Sequence, residues 1–328
     1  MHALNRHRAD FGPSAERHCG REKKASETHL SAYLSFGPVA IQLQTRAGYN
    51  VPVRRFRMGV SVSTAATTIE LHRLDLATGT VTYMEGGAGP DMLLLHHDIG
   101  STGWGELHDA LAKDFHLVAM NMPGYGGSTR LEWARHPRDL AGVILAAARK
   151  LGLRETHLVG LGFGGWVAAE MASFAANDFA RLSLIAPAGL KPERSYVLDQ
   201  VMMDYPDYVA AGFSGPEVSE RWFPHEERRN FRERFDENRE VIARIAWKPY
   251  MYSYELPELL REMHVPTLVA WGTADRVIPV ECAERYSEVL PDCTLRYIEA
   301  GSHFLDLEHP TEMASYIKQH AGPAAGKG

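Results

Sequence analysis

Four short segments carry the side-chain types that do chemistry. Leu93-Leu94-Leu95-His96-His97-Asp98-Ile99-Gly100 places two imidazoles beside a carboxylate, and Gly160-Leu161-Gly162-Phe163-Gly164-Gly165 is a glycine-rich turn. Trp271-Gly272-Thr273-Ala274-Asp275-Arg276-Val277-Ile278-Pro279 holds Asp275, and Ala300-Gly301-Ser302-His303-Phe304 holds His303, 28 residues further on. Histidine and aspartate are residue types of proton transfer near neutral pH, although a lone histidine is more often a satisfied structural residue. Asp98 is a candidate base or nucleophile, but with Ser101 and Thr102 close behind it suits a helix cap better. Other chemistries lack their residues. Met122-Pro123-Gly124-Tyr125-Gly126-Gly127-Ser128 is a turn rather than a phosphate loop, since no Gly-x-x-x-x-Gly-Lys-Ser/Thr occurs. The three cysteines, Cys19, Cys282 and Cys293, form neither a CxxC pair nor a Cys/His metal spacing, so neither metal nor cofactor is expected.

These segments need elements to hold them. Thr68–Leu76 and Thr80–Met84 alternate apolar and polar residues about Thr78-Gly79, which predicts an antiparallel hairpin. Met92–His96, Phe115–Met120, His157–Val159, Leu182–Ile185, Pro266–Trp271 and Thr294–Ile298 read as strands, several apolar on both faces. Helices are predicted near 103–113, 137–151, 164–176, 280–290 and 310–320. Repeated β-α units of this kind imply a parallel sheet covered by helices. Each chemical segment then falls at or just after the C-terminal end of a strand, where open α/β sheets bind ligands. Residues 190–258 break the rhythm. They contain 12 of the 31 aromatic residues, many charges and no strand pattern, and read as a helical cap over that edge. Arg228, Arg229, Arg232 and Arg234 alternate there with Glu226, Glu227, Glu233, Asp236 and Glu237, the pattern of a solvated helix face.

In this order the segments resemble the α/β-hydrolase superfamily over about residues 66–320. That resemblance implies a mostly parallel central sheet with helices on both faces and a helical cap, a core of 58–189 and 259–328, and a cap at 190–258. The family's elbow is Gly-x-Ser-x-Gly, with acid and histidine following. Gly160 and Gly164 match the elbow glycines, Asp275 the acid and His303 the base. Trp247-Lys248-Pro249-Tyr250-Met251 looks like bacterial capped members, among them ester hydrolases and carbon–carbon bond hydrolases. The His-Asp-Ile-Gly loop with a serine-free elbow also resembles the N-myc downstream-regulated family, which is regarded as non-enzymatic, though the Asp275 and His303 segments do not belong to it.

Gly162 stands where the family carries its nucleophilic serine. Losing such a nucleophile costs about 10⁶-fold in kcat, roughly 8 kcal/mol. Glycine relieves strain at the elbow and opens a space beside His303 for a water or a substrate atom. The expected chemistry is hydrolysis of a small, partly apolar carbonyl compound (ester, lactone or carbon–carbon bond) with His303 as general base and Asp275 as its orienting partner. Backbone amides near His97 and Phe163 are the expected oxyanion donors. His97 and Asp98 stand where members of the family usually have His-Gly, and an inward carboxylate there opposes an oxyanion. His96, Trp166 and Trp247 are expected to shape the pocket. The alternatives are a catalytically silent protein that binds a ligand or partner, and a chain altered from serine at position 162.

Composition excludes further classes. The 328 residues carry a net charge of −6, which leaves no overall electrostatic footprint for nucleic acid. No apolar run approaches ~18 residues, so no membrane span is expected. Few cysteines and no leader pattern point to the cytoplasm. The expected partner is a small-molecule substrate or ligand, with homodimerisation left open. Residues 1–57 hold ten Lys/Arg and four Asp/Glu and read as a basic, disordered extension, or as a start codon placed too early before Met58.

Overall fold

The computed structural model describes residues 69–322, so the extension expected over 1–57 lies outside the described residues. Eight strands form one sheet: β1 Leu71–Leu76, β2 Gly79–Gly86, β3 Asp91–Leu95, β4 His116–Met120, β5 Thr156–Leu161, β6 Phe179–Ile185, β7 Thr267–Gly272 and β8 Cys293–Ile298. Their spatial order is β1-β2-β4-β3-β5-β6-β7-β8. The first two pairings, β1 with β2 and β2 with β4, are antiparallel. All the others are parallel. The β1–β2 turn pairs Leu76 with Gly79, one residue earlier than the Thr78-Gly79 turn expected.

The continuous apolar runs of the inner strands are explained by burial on both faces. In β3, Leu93 and Leu95 point into one core with Leu158 of β5. Met92 and Leu94 point into the opposite core with Val159 and Leu161. Helices α1 Glu106–Leu111, α9 Leu305–Glu308 and α10 Pro310–Ala321 close the second core through Leu107, Leu111, Leu305, Met313 and Ile317. Helices α2 Pro137–Lys150, α3 Phe163–Phe174, α7 Leu256–Arg261 and α8 Glu281–Val289 close the first. The expected helix at 103–113 is shorter, because Gly103 has φ +90° and the extended Gly105 is the N-cap residue.

Between β6 and β7 lie α4 Tyr205–Ala211, α5 Pro216–Trp222 and α6 Arg228–Ile245. Phe231, Phe235, Val241, Ile242 and Ile245 are buried along one face of α6. On its other side, Arg229 pairs with Glu233 one turn on, at 3.6 Å. Much of the aromatic excess of this segment builds its own core: Tyr205 packs on Phe223 and Phe235, and Phe213 on Phe223. Among the described residues no helix is long and apolar enough to cross a membrane.

Candidate active site

The chain turns sharply from β5 into α3 at Gly162, which has φ +52° and ψ −116°. Only glycine rests in that region without strain. The turn is pressed against the end of β3: a Cβ on Gly164 would lie 2.3 Å from the His96 carbonyl oxygen. The Gly164 N–H donates to that same carbonyl.

Register then decides which side chain meets Gly162. Leu95 of β3 pairs with Gly160 of β5. His97 and Gly162 each lie two residues further along adjacent parallel strands, so they reach the same level above the sheet. A Cβ on Gly162 would lie 2.5 Å from His97 Nδ1 and 3.1 Å from His303 Nε2. The space expected to open beside His303 is therefore narrowed by the His97 ring. Both nitrogens are buried and neither has a hydrogen-bond partner among the described residues.

Each histidine is held from behind by a carboxylate. His303 Nδ1 pairs with Asp275 Oδ2 at 2.8 Å, and His97 Nε2 with Asp306 Oδ1 at 2.9 Å. Two Asp–His pairs thus face one another across Gly162, with ring centroids 5.1 Å apart. Asp275 is fixed in turn, because its Oδ1 accepts the N–H groups of Val277 and Ile278. The His303 loop is anchored by its own and the Phe304 N–H, both donating to the Gly212 carbonyl beyond α4. Arg276 donates to the carbonyls of Ala210 and Phe213 and ties the acid loop to the same helix end. Burial, the largest influence, pulls the His303 pKa down, but Asp275, with Asp98 and Asp306 further off, outweighs it and holds the pKa above 6.5. For Asp306, burial pushes upward, yet the His97 pairing leaves the carboxyl below its ordinary value.

Asp98 does not cap a helix. Helix α1 begins only at Glu106, and the Asp98 Oδ2 accepts from Tyr208 Oη at 2.6 Å and Gln200 Nε2 at 2.8 Å. Asp98 is 1% exposed, and one of its oxygens lies with His97 and His303 in a group whose ligand atoms are all within 4.8 Å of one another. His96 is a satisfied structural histidine. Its Nδ1 donates to the His97 carbonyl and its Nε2 accepts from the Met122 N–H, while burial pushes its pKa down to about 4. The Phe163 N–H opens α3 and has no intrahelical acceptor, as suits an oxyanion donor. The side chain of His97, more than its amide, is what enters the site. Trp166 sits in the α2–α3 interface, packed on Phe163 and His136 and donating to Glu170. Trp247 is 43% exposed and packs on Tyr250. Neither Trp lines either of the two clefts next to the site.

A cleft of about 280 Å³ opens between Ile99–Thr102, Gly126–Gly127 and the aromatic rings Tyr205, Phe223, Phe231 and Phe235. A smaller cavity of about 20 Å³, room for one water, lies behind His97 against His108 and Asp306. The two share Gly100, Ser101 and Thr102.

Known proteins share this frame. Residues 92–316 match the Alpha/beta hydrolase family. The chain belongs to that family. Human monoacylglycerol lipase ABHD6 is 25% identical over 270 residues, covering 70% of this chain and 75% of its own. Among solved structures, a bacterial membrane phospholipase A matches at TM-score 0.68 and 23% identity, over 77% of this chain and 86% of its own. The 2-hydroxy-6-oxo-6-phenylhexa-2,4-dienoate hydrolase of Rhodococcus sp. strain RHA1 matches at TM-score 0.64 and 20% identity, over 77% and 99%. Hydrolase is the enzyme class these relatives support. In this α/β-hydrolase-family member, three residues of the site are not legible in the sequence. Asp306, only three residues after His303, is the partner of His97, and its spacing was the one signal available. Tyr208 and Gln200, which hold Asp98, carry none, because both lie between β6 and β7, more than a hundred positions from Asp98.

Proposed function

We propose that this α/β-hydrolase-family protein hydrolyses an ester, lactone or carbon–carbon bond in a small, partly apolar carbonyl compound by direct attack of water. The observation that carries the reading is the buried Asp275–His303 pair, whose free Nε2 faces the side-chain-less Gly162. His303 Nε2 takes a proton from water as the water oxygen adds to the carbonyl carbon. The oxyanion receives the Phe163 N–H at the start of α3. As the tetrahedral species collapses, His303 returns the proton to the leaving oxygen or carbon. No acyl-enzyme forms, because Gly162 offers no atom to bear it. The aromatic cleft under the 190–258 cap houses the apolar part of the substrate, and the names of the relatives, lipases and a dienoate hydrolase, agree with that class.

The test is steady-state and pre-steady-state hydrolysis of short-chain aryl esters. Turnover without a burst is expected, falling about 10²–10⁴-fold in His303→Gln, the usual worth of a general base. Equal rates in His303→Gln sink the base assignment. A second reading, a catalytically silent ligand-binding protein, is favoured by the inward Asp98, whose charge opposes an oxyanion. Ligand binding in the cleft with no turnover in either protein selects it.

A further inference from the structure

We propose that His97 Nδ1, His303 Nε2 and an Asp98 carboxylate oxygen form a binding site for one divalent transition-metal ion of the zinc class. With Asp306 accepting from His97 Nε2 and Asp275 accepting from His303 Nδ1, each ring carries its proton on the carboxylate side. The facing nitrogens then present lone pairs. A third acceptor, the Asp98 carboxylate, stands within 4.8 Å of both. With both rings neutral, three buried acceptors converge and none can donate to another. Such a cluster is costly unless a positive group satisfies it.

The donor set names the class of ion. Two imidazoles and one carboxylate are ligands of zinc and its first-row neighbours, whereas magnesium and calcium take oxygen. Each imidazole also has a carboxylate on its far nitrogen, and Asp98 itself accepts from Tyr208 and Gln200. Outer partners of this kind orient metal ligands and raise their basicity. Room for the ion comes from Gly162. A Cβ there would press on both nitrogens, at 2.5 Å and 3.1 Å, so the glycine keeps any side-chain atom out of the gap in which the three acceptors converge. Zinc–nitrogen bonds of about 2.0–2.1 Å need only modest inward movement of the two rings.

A consequence rests on His303 being the base of the proposed hydrolysis. An ion on Nε2 occupies the lone pair that would accept the proton from water. Ion and proton compete, and loading silences the base.

The test uses the full chain, stripped with a chelator and titrated with Co²⁺ and Zn²⁺ by equilibrium dialysis with metal analysis. One ion per chain is expected, with Co²⁺ showing the visible d–d bands of nitrogen and oxygen ligation and Zn²⁺ displacing it. His97→Gln, His303→Gln and Asp98→Asn should each weaken binding at least as much as loss of an outer partner, about 10–100-fold. Asp306→Asn should fall in that range, and His72→Gln, half-buried on β1 beside Glu85, should change nothing. Thermal unfolding of each variant checks that it folds. Because Asp98→Asn is isosteric and keeps an acceptor for Tyr208, it tests the site even if a histidine variant fails to fold. No stoichiometric binding, or binding indifferent to all three ligand substitutions, overturns the site. Hydrolysis that stops with one equivalent of Zn²⁺ and returns with chelator is the expected second readout; undiminished hydrolysis by the loaded protein overturns the competition. Binding without any hydrolysis would instead leave the site standing and remove the proposed function.

Discussion

At the scale of residues, positions 97 and 162 behave as one unit. The His97 ring occupies the ground a serine at 162 would need, and packing on Phe304 and the Asp306 hydrogen bond keep it from swinging clear of that position. Gly162→Ser alone is therefore expected to destabilise by about 1–3 kcal/mol through overpacking, read as a lower urea midpoint. It should also stay inert to a serine-directed fluorophosphonate. Gly162→Ser with His97→Gly clears the contact. The double variant should recover stability relative to the sum of the single changes. It should also label covalently at the new hydroxyl, and His303→Gln in that background should abolish the labelling. Additive stability effects would mean the two positions do not share space.

At the scale of elements, the site depends on the segment between β6 and β7. Asp98, on the loop after β3, accepts from Tyr208 of α4 and from Gln200, and Asn238 of α6 donates to the Ile99 carbonyl. Burial first and Asp98 second push the Tyr208 pKa well above 10, so its hydroxyl remains a donor. Asp98→Ala leaves Tyr208 and Gln200 without their acceptor, at about 1–3 kcal/mol for each buried group stranded. Hydrogen exchange should quicken in α4 and α6 and stay unchanged in β5 and β7. Uniform quickening would show that Asp98 supports the whole fold rather than this contact. The elements themselves were largely legible: the apolar runs of β3, β5 and β7 and the amphipathic α6 follow from burial patterns that periodicity records. Helix α1 is shorter than its apolar pattern suggests because Gly103 and Gly105 take left-handed and extended backbone that periodicity does not report.

At the scale of the whole molecule, buried histidines set the response to acid. Burial, with a smaller push from neighbouring His320, drives the His157 pKa down to about 3, and burial drives His108 down to about 4. The unfolded chain takes up these protons just below pH 6.5, while the native protein does not until pH falls to those lower values. Their neutral forms therefore favour folding in full above pH 6.5, and that contribution is lost as pH falls from 6.5 toward 4 and 3. The loss is about 1.4 kcal/mol per pH unit for each histidine in that window. His303 runs the other way: its contribution is present below 6.5 and is lost as pH rises through its raised pKa. Urea unfolding at pH 7 and pH 5.5 should show the acid loss, and His157→Asn should flatten it. An unchanged slope in that variant would place the acid sensitivity elsewhere.

The sequence by itself determined the alternation of strands and helices, the family frame, and the pairing of Asp275 with His303. Those rest on local pattern and on motif spacing, which are written along the chain. Tertiary structure alone decided what stands against Gly162. His97 meets Gly162 because β3 and β5 are neighbours in a register that pairs Leu95 with Gly160, and no local pattern encodes which strands are adjacent. Asp306 finds His97 across 209 positions, and Asp98 finds Tyr208 across 110. A cluster whose members are that far apart in sequence exists only once the sheet has brought their loops to one edge.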